Sequence, residues 1–155
     1  MVMVFGLQQF LIKKNKMNIF LFCVSYFLFS LYHASFIYLF LYNKTINKLH
    51  KLLLGVANCL NIPVTFHDDL GKDAGVFYWH STNNVFIDKD MKINIDKKYS
   101  REPSVLAHEL GHYLSIKKNN DTSERGADQQ ALELCNILLT KTEKIILSIY
   151  LNVMF

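Results

Sequence analysis

The run from Ile19 to Tyr42 restricts the fold of this chain most, because it contains no Asp, Glu, Lys or Arg. A helix needs about 20 apolar residues to cross the hydrocarbon core of a bilayer, and this run is long enough to do so. Tyr38 and Tyr42, near its end, suit the boundary between lipid and water. The sequence therefore predicts a transmembrane helix at residues 17–43, preceded by an N-terminal segment at residues 1–16.

Two other interpretations of the apolar run are a signal peptide and a buried core helix. A basic cluster at residues 13–16 precedes the run, as in a signal peptide. The run is longer than a usual signal core, however, and no small-x-small cleavage site follows it. A domain of this size could hardly surround so long an apolar helix. A single-pass membrane anchor is the favoured interpretation.

The lysines and cysteines bear on which side of the membrane the rest of the chain lies. Equal numbers of lysines flank the run, so the positive-inside rule does not decide the orientation. They are Lys13, Lys14, Lys16, Lys44, Lys48 and Lys51. The cysteines Cys23, Cys59 and Cys135 form no C-x-x-C pair, which indicates buried free thiols rather than disulfides or a cysteine zinc site. Free thiols fit a reducing compartment and favour a cytoplasmic domain.

Residues 44–155 are predicted to form one small α+β domain. Apolar residues recur at three- and four-residue steps from Ile46 to Leu60, which predicts an amphipathic helix that ends near Pro63. Short β-type runs, a turn at residues 81–84 and three helices follow. The predicted strands are Val64–Phe66, Val76–Trp79, Val85–Asp88 and Ile93–Ile95, and the predicted helices are Val105–Ile116, opened by Pro103, then Thr122–Thr140 and Thr142–Phe155.

Residues 108–112 read His-Glu-Leu-Gly-His on the first of these helices. A four-residue step on a helix returns to within about 40° of its starting direction, so His108 and His112 present two imidazoles on one face. Histidines at this spacing can hold one tetrahedral metal ion, and Glu109 lies beside them without being a ligand. The competing interpretation is a chance pair of surface histidines, against which the apolar residues around the motif argue.

A third ligand is expected from the next helix, because a catalytic zinc site has three protein ligands and leaves the fourth position to water. A short polar loop centred near Lys118 implies an antiparallel helix hairpin. Residues equidistant from that centre face each other, which places Glu124 opposite His112 and Asp128 opposite His108. Glu124 can then complete the metal site, while Asp128 can accept the proton of the His108 ring. A solvated acidic helix start, favoured by the helix dipole, is the alternative for Glu124.

The two motifs together resemble the ImmA/IrrE-type zinc metallopeptidases of bacteria and their mobile elements. The resemblance is carried by His-Glu-Leu-Gly-His-Tyr at 108–113 and Glu-Arg-Gly-Ala-Asp-Gln-Gln-Ala-Leu-Glu-Leu at 124–134. It implies a small zincin-like domain with a short, mostly antiparallel sheet, and it implies His108, His112 and Glu124 as ligands of Zn2+. Glu109 would be the catalytic base, and a transcriptional repressor a substrate. A more distant resemblance is to membrane-embedded zinc peptidases with the same His-Glu-Leu-Gly-His motif.

The resulting hypothesis is hydrolysis of a protein or peptide substrate. Glu109 would take a proton from the attacking water and return it to the leaving amine. Tyr99, Tyr113 and His80 are the candidate donors to the oxyanion, and the sequence does not choose among them. An edge strand at Val85–Asp88 could align an extended peptide by backbone pairing.

Two other functions remain open. One is a zinc-stabilised, catalytically inactive module that serves as a membrane-tethered binding protein. The other is a small membrane protein of a mobile element, in which both histidines are incidental. The net charge of +4 comes from scattered lysines, and pairs such as Lys97-Lys98 lack interleaved aromatics, so no nucleic-acid partner is predicted.

Overall fold

The computed structural model describes residues 2–82, 85–86 and 90–148. The protein belongs to the α+β class, as predicted: a long N-terminal helix precedes a small sheet and three shorter helices. In chain order its elements are α1 (Val2–Cys59), β1 (Val64–His67), β2 (Gly75–Tyr78), β3 (Ser81–Thr82), β4 (Val85–Phe86), β5 (Lys92–Asp96), a 3-10 helix (Lys97–Tyr99), α2 (Pro103–Asn119), α3 (Glu124–Leu138) and α4 (Lys141–Ile146).

The chain divides into two compact units, Met1–Phe40 and Leu41–Phe155. In the first unit, the side chains from Ile19 to Phe40 are exposed. The part of α1 that begins at Ile19 has a mean hydropathy of 1.7, and it is long and apolar enough to cross a membrane. The prediction of such a helix is confirmed at the level of length and composition, which signal sequences and core helices can share.

α1 is continuous, whereas the sequence predicts separate helical segments within it. Proline is the strongest helix breaker, and no proline precedes Pro63, so the backbone hydrogen bonds can continue through the basic cluster and the apolar run. The helix ends in a Schellman motif. Asn61 adopts the left-handed conformation with φ 56°, and the N–H of Ile62 donates to the carbonyl of Ala57 at 2.9 Å.

The main sheet has three strands in the order β1-β5-β2. β5 pairs in parallel with β1, with Val64 opposite Ile93, and antiparallel with β2, with Gly75 opposite Ile95. The parallel pairing was not predicted. It requires a long connection between β1 and β5, which the segment that contains β2, β3 and β4 provides.

β3 and β4 form a separate two-stranded sheet in which Thr82 is opposite Val85. A turn was predicted at residues 81–84, of which residues 81–82 form β3 and residues 83–84 lie outside the described residues. The edge strand predicted at Val85–Asp88 is confirmed in its described part, Val85–Phe86, which pairs with β3 and not with the main sheet, while residues 87–88 lie outside the described residues. The edge strand that packs against α2 is β2.

A hydrophobic core joins the main sheet to α2, α3 and the end of α1. Its fully buried members include Leu49, Leu53, Ile93, Ile95, Leu106, Leu110, Ala131, Cys135 and Leu147. Each large apolar side chain removed from water stabilises the fold by about 2 kcal/mol. α2 contributes to this core and packs against β2, β5 and α3, which fixes the rotation of the helix that carries the histidine motif.

α2 and α3 cross at Gly111, where a Cβ would overlap the backbone carbonyl of Ala127. Asn120 ends α2 in the left-handed conformation with φ 55°. The hydroxyl of Ser123 then caps α3 by accepting a hydrogen bond from the N–H of Gly126 at 3.0 Å. These caps keep the connection short, and they hold the two helices as an antiparallel hairpin.

α4 packs beside the end of α1. Thr140 and Glu143 form a capping box at its start, and the carboxylate of Glu143 lies 2.7 Å from the ammonium of Lys48. The sequence predicts a longer helix, Thr142–Phe155, but α4 ends at Ile146. Residues 149–155 of that prediction lie outside the described residues.

Candidate metal centre

α2 carries His108, Glu109 and His112. Pro103 begins the helix, at a position where its missing N–H costs no hydrogen bond. Leu106 is fully buried, so the face of the helix that carries it packs against the core. The two histidine side chains are only partly buried, with exposed fractions of 26% and 12%, so the helix presents both imidazoles toward one open side of the domain.

The structure brings His108, His112 and Glu124 together. Oε2 of Glu124 lies 3.0 Å from Nε2 of His108 and 3.5 Å from Nε2 of His112. The three candidate ligand atoms all lie within 4.8 Å of one another. Atoms bound tetrahedrally to zinc at about 2.1 Å are about 3.4 Å apart, so the two distances from Glu124 match a shared ion, whereas the widest separation, up to 4.8 Å, must shorten when an ion binds. The cluster could hold one metal ion.

Asp128 lies behind His108, one turn of α3 beyond Glu124. Its Oδ1 is 2.8 Å from Nδ1 of His108, which leaves Nε2 of that ring facing Glu124. A carboxylate in this place accepts the Nδ1 proton, fixes the tautomer and makes the other nitrogen a better ligand. The two acids of α3 therefore contact opposite nitrogens of one imidazole.

Glu109 is a buried acid beside this cluster, with an exposed fraction of 5%. Burial raises the pKa of Glu109 to about 7, against the opposing effects of the His108 ring and of a hydrogen bond from the N–H of Phe77. A carboxyl group with a pKa near 7 can both accept and return a proton near neutral pH. Burial, together with the neighbouring His108, lowers the pKa of His112, which favours the neutral imidazole that binds metals.

β2 supports Glu109 and His112, a contribution that the sequence analysis missed. The ring of Phe77 stacks parallel to that of His112, with an angle of 5° between the planes and 6.4 Å between the centroids. Gly75 leaves room for the acid, since a Cβ there would lie 2.8 Å from Oε1 of Glu109 and 2.7 Å from Cγ1 of Val105. The signal in the sequence that could have indicated this support is a glycine at the start of an apolar strand. A glycine in an ordinary turn before a strand gives the same sequence pattern.

A cleft borders the cluster and consists of two adjoining depressions of about 470 and 360 Å³. Both are lined by Asp73, Gly75, His108 and Glu109; the larger also includes Phe77, Trp79, His112, Thr122 and Glu124, and the smaller includes Lys72, Ser104 and Val105. Glu109 therefore lies at the point where the two depressions meet. The cleft extends to both sides of it.

The three predicted oxyanion donors do not line this cleft within the part of the chain that the structure describes. Tyr113 packs edge-on against Phe77, with the ring centroids 6.4 Å apart. Tyr99 lies in the 3-10 helix, and His80 is an exposed residue after β2. Thr122 and Lys72, whose side chains carry donor groups, are residues that do line the cleft.

Comparisons of the chain with protein-family models, with curated proteins and with solved structures found no match.

The cysteines do not belong to this site. The prediction that all three are buried is wrong, since only Cys135 is buried, while Cys23 and Cys59 are exposed. Cys59 is the last residue of α1, where the helix leaves the core, and Cys23 lies in the exposed apolar run. Burial raises the pKa of the Cys135 thiol to about 11, which makes it an inert core residue.

Proposed function

We propose that this chain is a zinc-dependent endopeptidase that is attached to a membrane through α1. The observation that carries the proposal is a buried acid, Glu109, next to the cluster of His108, His112 and Glu124 at an open cleft. Metal-assisted hydrolysis needs metal ligands, an adjacent group that titrates near neutral pH and a substrate-sized cleft.

Zinc is the metal that the donor set favours. Two imidazole nitrogens and one carboxylate oxygen are a frequent ligand set of catalytic zinc sites. When bound, zinc would supply a Lewis acid that polarises the scissile carbonyl and makes water more acidic. Three protein ligands leave one position free, and the exposed fraction of Glu124, 78%, shows that the cluster is accessible from solvent.

Glu109 is the residue that we assign to proton transfer. Its carboxylate accepts a hydrogen bond from the backbone N–H of Phe77 and lies in the space that the missing side chain of Gly75 leaves. As the attacking water adds to the peptide carbonyl, Glu109 accepts its proton; as the C–N bond breaks, Glu109 gives that proton to the leaving amine. Asp128 keeps the His108 ring in place throughout.

We assign the alignment of the substrate to β2. Within the described residues β2 pairs only with β5, and apart from the N–H of Phe77, which holds Glu109, its other edge is left for backbone hydrogen bonds to an extended peptide. Gly75 and Phe77 lie both on this strand and on the wall of the cleft. A peptide added to that edge would pass next to Glu109, which supports a polypeptide rather than a small molecule as the substrate.

The proposed setting is a single-pass membrane protein whose catalytic domain faces the cytoplasm. The long, exposed apolar helix supports the membrane attachment. The resemblance of residues 104–134 to ImmA/IrrE-type metallopeptidases supports a regulatory protein as the substrate.

The test is a comparison of metal content and proteolysis in the full chain, purified in a mild detergent. We expect about one zinc per chain and cleavage of an unfolded protein such as casein that a chelator abolishes. Glu109→Gln should keep the zinc and lose cleavage by at least about 100-fold. Glu133→Gln is the matched control, because that carboxylate lies on α3 and pairs with Lys118 outside the cleft.

Two outcomes would contradict the proposal. Full cleavage by Glu109→Gln would show that another group transfers the proton. Stoichiometric zinc without any chelator-sensitive cleavage would instead favour the zinc-stabilised binding module.

A further inference from the structure

A groove of about 640 Å³ lies between the end of α1 and α4, and none of its lining residues lines the cleft. One side is basic, with Lys44, Lys48 and Lys51. The rest of the lining is apolar at Leu41, Leu52 and Ile146 and polar at Thr45, Asn47 and Glu143. A groove that combines ammonium groups with apolar surface suits a ligand that is itself part anionic and part apolar.

Two of the three lysines have their charge available. Lys48 is paired with Glu143 at 2.7 Å. Lys44 and Lys51 are exposed, and neither forms an ion pair with a residue that the structure describes. Steps of four and three residues place the lysines on one face of the helix, where they can contact the same anionic group.

The position of the groove in the chain identifies the source of such a ligand. Lys44 comes two residues after Tyr42, the last residue of the apolar run, which is about 3 Å along a helix. The polar headgroup layer on each side of a bilayer is about 5–8 Å thick. If the apolar run spans the membrane, Lys44 therefore lies at the depth of the lipid phosphates.

We infer that this groove binds the headgroup of an anionic phospholipid. The ammonium groups of Lys44 and Lys51 contact the phosphate, and the lipid's apolar part lies against Leu41, on the side of the apolar run. The inference rests on the membrane attachment in the proposed function and is independent of the zinc chemistry. Its consequence is that the catalytic domain is held at the membrane surface by lipid contacts as well as by the anchor.

The experiment is native mass spectrometry of the full chain in detergent micelles, titrated separately with phosphatidylglycerol, phosphatidylcholine and inorganic phosphate. We expect phosphatidylglycerol to bind more tightly than phosphatidylcholine, and inorganic phosphate to show no measurable binding. Lys44→Gln combined with Lys51→Gln should weaken the phosphatidylglycerol complex about 25-fold, because each lysine near a lipid phosphate contributes about a fivefold factor.

Three further variants make the result specific. Lys44→Arg with Lys51→Arg keeps the charge and should keep the affinity. Glu143→Gln frees Lys48 and should strengthen binding about fivefold. The matched control, Lys117→Gln with Lys118→Gln, removes the same charge at the end of α2 and should change nothing in lipid affinity.

Three results would overturn the lipid site. Phosphatidylcholine or free phosphate could bind as tightly as phosphatidylglycerol. Alternatively, the double variant on α2 could lose as much phosphatidylglycerol affinity as the double variant on α1. Flotation of the full chain with pure phosphatidylcholine vesicles tests the anchor by itself. Zinc content and casein cleavage of the same samples test the proposed activity. A failure of the headgroup site is thus distinguishable from a failure of the anchor or of the enzyme.

Discussion

The carboxylate of Asp128 accepts a hydrogen bond from the His108 ring across the α2–α3 hairpin, with 2.8 Å between Oδ1 and Nδ1. The same imidazole faces Glu124 with its other nitrogen, at 3.0 Å. One ring is therefore oriented by two acids that lie four residues apart on α3. Metal affinity should depend on both acids, although only Glu124 is placed to be a ligand.

Asp128→Asn should weaken the zinc binding proposed for this cluster by about 10- to 100-fold, because an amide accepts the hydrogen bond of the imidazole N–H less strongly than a carboxylate does. Competition with a fluorescent chelator on the full chain measures the affinity. Gln129→Glu, which changes the neighbouring residue of α3, should leave it within about twofold. Equal zinc affinities in Asp128→Asn and the unsubstituted chain would remove Asp128 from the site.

Gly75→Ala tests whether the backbone of β2 positions Glu109. The new Cβ would lie 2.8 Å from Oε1 of Glu109, so the carboxylate must shift. Misplacing a catalytic group by about 1 Å can cost about 100-fold in rate. We therefore expect kcat for the proposed casein cleavage to fall by that order, while KM and the proposed zinc content stay close to those of the unsubstituted chain.

Gly55→Ala is the control for this change, since a Cβ at Gly55 meets no atom within 4 Å. It should cleave casein at an unchanged rate. A loss of zinc from Gly75→Ala would show instead that β2 supports the metal cluster as a whole.

Gly111→Ala should destabilise the domain by at least about 2 kcal/mol in the free energy of unfolding, because its Cβ would overlap the carbonyl of Ala127 and force α2 away from α3. Urea unfolding followed by Trp79 fluorescence measures the change. Gly55→Ala again provides the comparison. It should be neutral or stabilising by up to about 1 kcal/mol, as expected for glycine replaced by alanine inside an exposed helix.

The helical parts of the candidate site could be predicted because they depend on local spacing. A helix brings residues four apart to one face, and a short loop makes the next helix fold back, so His108 and Asp128 could be paired by counting residues. The exact contacts of Glu124 could not be predicted from this spacing. Its oxygen lies closer to the His108 ring than to the His112 ring, because the crossing of the helices is set by the close approach of Gly111 and Ala127.

The contribution of the sheet could not be predicted, because strand order depends on pairings between distant parts of the chain. β1 and β5 pair in parallel across a long connection, and this leaves β2 rather than Val85–Asp88 at the edge beside α2. The support of Glu109 by Phe77 follows only from that order. A short apolar run shows that a strand is present but does not show its neighbours.

The Cys135 thiol should be unreactive in the folded chain. Burial raises its pKa to about 11, so almost no thiolate is present at pH 8, and the side chain is fully buried. Alkylation at pH 8 followed by mass spectrometry should label Cys59, which is exposed, and should label Cys135 only after unfolding in urea. Equal rates of labelling at the two positions in the folded chain would contradict the burial of Cys135.

The ion pair between Lys48 and Glu143 should make the stability of the domain sensitive to acid. The hydrogen bond from Lys48, followed by those from Thr140, lowers the pKa of Glu143 to about 2 from its ordinary value of 4.5. A depressed carboxyl pKa means that the stabilisation is fully present above about pH 4.5 and is lost as the pH falls through about 2. Lys48 is largely exposed, so the contribution is expected to stay below about 1 kcal/mol.

Urea unfolding of the unsubstituted chain and of Lys48→Gln at several pH values measures this dependence. The difference in the free energy of unfolding should be constant from pH 5 to 7 and should shrink steadily below about pH 4, because protonation of Glu143 removes the pair in the unsubstituted chain as the substitution does in the variant. A difference that persists unchanged down to pH 2 would mean that Lys48 stabilises the fold through the packing of its aliphatic stem rather than through its charge.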